Sequence, residues 1–169
     1  KCARILAEVE VESRERLLAR DCSVTFTLEK DGQVIHTDSR RFVGQIGINY
    51  LDFSFTLENP ELWWPAGCGE QALYELSAVT DDDEKSIEVG LRTVEIINEP
   101  DQYGVSMGVR VNGVDVFCKG ADWIPADAFP SRITPEAVDD LLESARIANM
   151  NMVRVWGGGQ YENDFFYQL

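Results

Sequence analysis

The sequence has little with which to hold a metal ion or a polyanion. It contains one histidine, His36, and four cysteines, Cys2, Cys22, Cys68 and Cys118. These are scattered and form no CxxC pair, so the ligand spacing of a zinc or iron–sulfur site is absent and no metal is expected. Basic residues are also scarce: 15 Lys and Arg stand against 30 Asp and Glu, a formal charge of −15. A field of that sign repels nucleic acid, and its simplest reading is a solvated acidic surface. No apolar run approaches the ~20 residues of a membrane-spanning helix, so no membrane partner is expected. The first residues, Lys1-Cys2-Ala3-Arg4-Ile5-Leu6, lack both an initiator Met and the apolar stretch of a signal peptide, as an internal or processed segment would. Four cysteines are too few here for a disulfide scaffold. They are expected to be free, mostly buried thiols of an intracellular protein, which assigns the chain to the cytoplasm. Gly157-Gly158-Gly159 lacks the Lys-Ser/Thr of a phosphate loop and the spacing of a dinucleotide fingerprint, and no cofactor is expected.

What is present is ordinary for a globular protein: 44% hydrophobic and 27% charged residues in a chain of 169, enough for one domain and part of another. The first hundred residues read as strands. Ala3, Ile5, Ala7, Val9 and Val11 alternate with Arg4, Leu6 and three glutamates, the period of a half-buried strand. Val24, Phe26 and Leu28 repeat it, and Asp31-Gly32 is a hairpin signal before Val34 and Ile35. Leu51, Phe53, Phe55 and Leu57 alternate up to Asn59-Pro60. Tyr74, Leu76 and Ala78 follow, then the acidic turn Asp81-Asp82-Asp83. Ile87, Val89, Leu91 and Val94 predict a last strand with a break in phase at Gly90. Residues 13–20 read as a loop or a brief helical turn. The pattern predicts a mainly β fold, with an immunoglobulin-like antiparallel sandwich over residues 1–100.

After Pro100 the grammar changes. Val105, Met107, Val109 and Val111 alternate up to Asn112-Gly113, a second hairpin signal, and Val114, Val116, Phe117 and Cys118 predict the return strand. Thr134 as cap, Pro135 at the first helical position and Glu136 in the first turn open the clearest helix. Val138, Leu141, Leu142, Ala145 and Ala148 give it an apolar face, and Asn149-Met150-Asn151 closes it. Met152 to Trp156 reads as a short buried strand, and Glu162 to Leu169 as the start of a second helix. Strand, helix, strand, helix is the pattern of a parallel β/α architecture. A closed (β/α)8 barrel takes roughly 200 residues or more, so residues 101–169 are expected to be an incomplete barrel start.

Four runs carry a resemblance to a known family. Asn59-Pro60-Glu61-Leu62-Trp63-Trp64-Pro65, with Gly67, Gly69, Gln71, Leu73 and Tyr74, is the first. Val111-Asn112-Gly113 through Phe117-Cys118-Lys119-Gly120-Ala121-Asp122-Trp123-Ile124-Pro125 is the second. Ala126 to Arg132, and Asn149-Met150-Asn151-Met152-Val153-Arg154-Val155-Trp156 with the three glycines, complete the series. Together they resemble the β-mannosidases of glycoside hydrolase family two, in order and from about residue 57 onward. Asp122 stands where the family pattern has Asn, and Gln160 where it has Ile or Val.

The resemblance implies a retaining exo-β-mannosidase whose substrate is a terminal β-D-mannoside and which needs no cofactor. Retaining glycosidases use two carboxyl groups about 5–5.5 Å apart. In the family both are glutamates on later barrel strands, so no catalytic residue is expected in this chain, and alone it is expected to be an inactive fragment. Asn98-Glu99 mimics the family's acid/base pair but precedes the first barrel strand. Substrate contacts are the better candidates. Active sites of such barrels lie at the C-terminal ends of the strands, and Asp122, Trp123, Arg154 and Trp156 fall there. An indole stacks on a pyranose face, and a guanidinium forks onto hydroxyls or a carboxylate. Against this stand simple readings: a structural ion pair for Arg154, and core packing for Trp123 and Trp156. Trp63 and Trp64, between two prolines, read as packing or interdomain residues. Two alternative functions are a non-catalytic carbohydrate-binding or interaction sandwich, and a β-galactosidase- or β-glucuronidase-like enzyme of the same family. Bare edges of a truncated barrel would favour self-association.

Overall fold

The computed structural model describes residues 2–13 and 21–169; beyond Ser13, the expected loop or turn at 13–20 lies outside them. The described residues open with β1 (Cys2–Ser13), β2 (Asp21–Lys30), β3 (Gln33–Val43) and β4 (Gly47–Glu58). Next come β5 (Tyr74–Val79), β6 (Glu84–Val89), β7 (Val94–Ile97), β8 (Gly108–Val111) and β9 (Val114–Val116). The order ends with β10 (Gly120–Trp123), a 3-10 turn at Pro130–Arg132, α1 (Pro135–Ile147), β11 (Met152–Val155) and α2 (Asp164–Gln168). The fold is mainly β, in open sheets. Residues 1–63 with 72–91, and residues 64–71 with 92–169, form two compact units.

In the first unit β1 pairs antiparallel with β4 over the full length of both. A second antiparallel sheet has the order β3-β2-β5-β6. Alternation decides which side of each strand is buried: Ala3, Ile5, Ala7, Val9 and Val11 are the covered apolar residues of β1, as the sequence predicts. Val24 and Phe26 of β2 meet Phe53 of β4, and Ala7, Val9, Val11, Phe42, Leu51, Phe55, Leu76 and Ala78 close around them. The core therefore lies between two sheets. The Phe26 and Phe53 rings stack with centroids 4.9 Å apart. Asp31 (φ 51°) and Gly32 (φ 74°) take the paired left-handed conformations that match the twist of a two-residue hairpin.

The strand predicted across Gly90 is two strands. β6 is the edge of the four-stranded sheet, whereas β7 pairs with β8 in another. The cause is Trp63. A Cβ on Gly90 would lie 2.7 Å from Trp63 Cγ, and the Trp63 N–H donates to Leu91 O at 2.9 Å, so the chain leaves the sheet around the indole. Trp64 packs likewise on Gly69. Both indoles are half-buried, in keeping with the packing reading.

In the second unit β7, β8 and β9 form an antiparallel sheet in that order, with Asn112 (φ 53°) and Gly113 (φ 81°) as the β8–β9 turn. Val105 and Met107 alternate with β8 but lie outside it, exposed. Their segment is a loop, in which the Asp101 carboxylate accepts the N–H groups of Tyr103 and Gly104. Phe117 and Cys118 likewise fall outside β9. β10 and β11 then run parallel, joined by α1 in the crossover that parallel strands require. Thr134 Oγ1 accepts the Ala137 N–H at 3.3 Å and caps α1 as predicted. At the other end Asn149 (φ 56°) is left-handed, its N–H reaching Arg146 O while the Met150 N–H reaches Ala145 O. That pattern satisfies the last carbonyls of the helix. The apolar face of α1 is only partly covered: Val138 is buried, but Leu141 and Ala148 are exposed. β11 is half-buried rather than buried, its residues alternating between exposed and covered.

None of the cysteines is in a disulfide. They are not mostly buried: Cys2 and Cys68 are exposed, and Cys22 and Cys118 are half-buried. No described helix is long and apolar enough to cross a membrane.

Candidate functional site

The four singled-out residues share one end of the parallel pair. The β10–β11 register sets Gly120 against Met152, Asp122 against Arg154 and Trp123 against Val155. Neighbouring residues in a strand point to opposite faces, so Asp122 and Arg154 share one face while Trp123 and Val155 share the other. Asn151 fixes the start of the pair. Its side chain accepts the Lys119 N–H at 2.8 Å and donates to Phe117 O at 3.1 Å. The Asn151 N–H donates to Lys119 O at 2.8 Å. This clamp has no signature in the sequence beyond an Asn following a helix.

On the first face Arg154 Nη1 donates to Asp122 Oδ1 at 3.0 Å, with both side chains more than half exposed. The single contact leaves the other guanidinium donors open. On the second face Trp123 is 9% exposed. Its Nε1–H donates to Glu162 Oε1 at 2.9 Å, and its ring lies tilted on Phe166 of α2, centroids 4.9 Å apart. Trp123 thus serves packing in this structure. Since α2 covers the Trp123 side, the Asp122–Arg154 pair faces away from that contact.

Trp156 continues the ladder by one bond, its N–H donating to Trp123 O at 2.9 Å, but its side chain is 44% exposed. The three glycines follow in a tight turn, the Gly159 N–H donating to Trp156 O at 3.1 Å. None has a left-handed φ, and Gly158 is needed for room: a Cβ there would lie against Trp156 Cζ2 and Cη2.

The loop after β10 is stiffened by Asp127, which accepts the Phe129 N–H at 2.7 Å and a two-nitrogen contact from Arg132. Arg132, then the Phe129 N–H, hold the Asp127 carboxyl below its ordinary range. The Arg132 guanidinium lies over the Phe129 ring, 4.7 Å from its centroid. Sequence reasoning missed Glu162 and this loop clamp, because each joins residues whose meeting only the fold determines.

Among the described residues the remaining acids form no comparable site. Asn98 and Glu99 are exposed beyond β7, and the Glu99 N–H is taken by Ser106 Oγ at 3.1 Å. Asp81–Asp83 form a turn in which Thr80 Oγ1 accepts the Asp82 and Asp83 N–H groups. Among the described residues no three His, Cys, Asp or Glu side chains gather as a metal site.

Comparison with known proteins gives a consistent picture. Residues 3–93 match the family described as Glycosyl hydrolases family 2. β-Mannosidase B of Emericella nidulans is 41% identical over 171 residues, covering 98% of this chain and 20% of the relative. The Aspergillus oryzae β-mannosidase B is 38% identical with the same coverage. The crystal structure of β-D-mannosidase from Dictyoglomus thermophilum superposes with a TM-score of 0.87 at 39% identity, covering 99% of this chain and 21% of that one. The chain therefore spans about one fifth of the length of the relatives it matches.

Proposed function

This chain belongs to glycosyl hydrolases family 2, and from that premise we propose that it is part of a retaining exo-β-mannosidase that hydrolyses terminal β-D-mannosides. Its similarity to β-mannosidases along almost the whole chain supports the sugar. One observation carries the site: Arg154 and Trp156 are both open to solvent at the C-terminal ends of a parallel strand pair. Enzymes built on parallel barrels bind substrate at that end. In this reading Trp156 stacks on the apolar face of the mannose ring and Arg154, steadied by Asp122, donates to its hydroxyls or orients a carboxylate. Trp123 supports the site from beneath.

Residues 1–100 act as an immunoglobulin-like sandwich, and residues 101–169 as the first β/α steps of a catalytic barrel. The two carboxyl groups that retention demands come from elsewhere in the whole enzyme, and this chain alone does not turn over substrate. Exposed Leu141 and Ile147 on α1 and Met152 on β11 favour that division, being apolar positions that further barrel elements would cover. In isolation the open edges of β10 and β11 invite pairing with a second copy. Four cysteines outside any disulfide accord with a reducing compartment such as the cytoplasm.

The test is release of p-nitrophenol from p-nitrophenyl β-D-mannoside by the full-length enzyme and by this chain. Turnover by the full-length enzyme alone supports the proposal. Cleavage of other glycosides but not the mannoside overturns the sugar assignment, and turnover by the chain itself overturns the location of the carboxylates.

A further inference from the structure

We propose that Asn151 is a positioning residue: its side-chain amide, bound at both ends to the backbone before β10, fixes the register of the β10–β11 pair and so the place of Arg154. The inference rests on the reading that sugar binds at the ends of β10 and β11. It draws on contacts made within residues 117–155 alone. β10 and β11 have four residues each, Gly-Ala-Asp-Trp and Met-Val-Arg-Val. Strands so short hold too little alternation to choose one pairing over another. The consequence of a wrong pairing is large. A slip of one residue turns every side chain to the opposite face, and would carry Arg154 from the face of Asp122 to that of Trp123.

Two devices hold Asp122 against Arg154. Gly120 leaves room for the Met152 carbonyl, which a Cβ would strike. Asn151, half-buried at the head of β11, then selects the pairing. Its Oδ1 accepts the Lys119 N–H at 2.8 Å, and its Nδ2 donates to Phe117 O at 3.1 Å. Its own backbone N–H donates to Lys119 O at 2.8 Å. One side chain thus uses an acceptor and a donor on backbone groups two residues apart, which a short amide can do and a carboxylate cannot. From this clamp to Arg154 the chain is extended strand, so a shift at Asn151 is carried to the guanidinium.

The experiment measures kcat and KM for p-nitrophenyl β-D-mannoside, with the melting temperature, in the full-length enzyme and its Arg154→Ala, Asn151→Ala and double variants. Asn151→Ala should lower kcat/KM on the order of tenfold, divided between kcat and KM as Arg154→Ala divides its own loss. Because both changes act through one guanidinium, the double variant should fall within about twofold of Arg154→Ala alone. A merely structural role gives another result: the loss adds in full to that of Arg154→Ala and follows the melting temperature. That result overturns the proposal, as does wild-type kcat/KM in Asn151→Ala. Asn151→Asp keeps the acceptor for the Lys119 N–H and loses only the donor to Phe117 O, so it carries the same cycle should the alanine variant not fold. Thr134→Ala removes the cap of α1 and is the control for lost stability, with KM expected within about twofold of wild type. Failure of the underlying site reading looks different: Arg154→Ala would itself then keep wild-type kcat and KM.

Discussion

Gly120 is the residue on which the site geometry depends most directly. It opens β10, and a Cβ there would lie 1.8 Å from the carbonyl oxygen of Met152 and 2.8 Å from its carbonyl carbon. To restore even a 3.0 Å contact the oxygen must retreat by about 1.2 Å. It is backbone and has no rotamer by which to yield. Nor is the segment free to slide, because the Asn151 and Met152 N–H groups both donate to Lys119 O, at 2.8 and 3.3 Å. The displacement must pass into the β10–β11 ladder, two residues from Asp122 and Arg154. Overpacking of this kind costs about 1–3 kcal/mol, and a misplacement of ~1 Å in an active site costs up to about a hundredfold in rate. In the full-length enzyme Gly120→Ala should lower kcat/KM for p-nitrophenyl β-D-mannoside ten- to a hundredfold and lower the melting temperature. Gly157→Ala is the control, since a Cβ there meets nothing within 4 Å, and its stability should stay within about 0.5 kcal/mol of wild type. A Gly120→Ala enzyme with wild-type melting and wild-type kcat/KM would refute the reasoning.

Three further outcomes are expected. Phe53→Ala empties the stacked centre of the first unit and should cost about 3–5 kcal/mol, read as a fall in the urea midpoint; a shift under about 1 kcal/mol would mean the two sheets do not share that core. Gly158→Ala pushes the half-exposed Trp156 ring aside, so it should raise KM for the mannoside in the full-length enzyme with little change in melting temperature; unchanged KM would detach Trp156 from the sugar. Asp115, Asp127 and Glu143 are held below their ordinary pKa by Arg110, Arg132 and Arg146. Folded values below unfolded ones give stability that is complete above the unfolded pKa, about 4, and lost as pH falls through the folded values. Melting temperature should therefore decline below about pH 4, less steeply for Asp127→Asn; an identical decline in that variant would remove Asp127 from the account.

The sequence was legible where one local rule dominates. The alternation in β1, β2 and β4 needs only a covered and an open face, and both two-residue hairpins need only Asp-Gly or Asn-Gly. Thr134-Pro135 opens a helix by its own chemistry. Legibility ended where a distant residue decides. The break in phase between Val89 and Val94 is visible in the sequence, but its meaning is not: Trp63 packed on Gly90 takes the chain out of the sheet there. Val105 and Met107 alternate as well as any strand, yet Asp101 holds their segment in a loop. At the site, residue type and strand-end position marked Asp122, Trp123, Arg154 and Trp156 alike. Which of the two indoles is open depends on Glu162 and Phe166, some forty residues beyond Trp123.

That division between the indoles bears on what residues 119–169 are organised to do. In the first unit the buried side chains are apolar and large, and they stack across two sheets. Around β10 and β11, apart from Trp123 on Phe166 and Glu162, the specific contacts are instead polar and exposed: Arg154 on Asp122, Arg132 on Asp127. Exposed pairs of this kind add little to stability, the Asp122–Arg154 pair no more than about 1 kcal/mol, so folding alone does not account for a charged pair set at the strand ends beside an open indole. In the proposed reading orientation does, because a carboxylate contact on one nitrogen restricts where the remaining guanidinium donors point. Substitutions in this segment should accordingly register in sugar affinity and selectivity before they register in melting temperature, whereas substitutions at Phe26 or Phe53 should do the reverse.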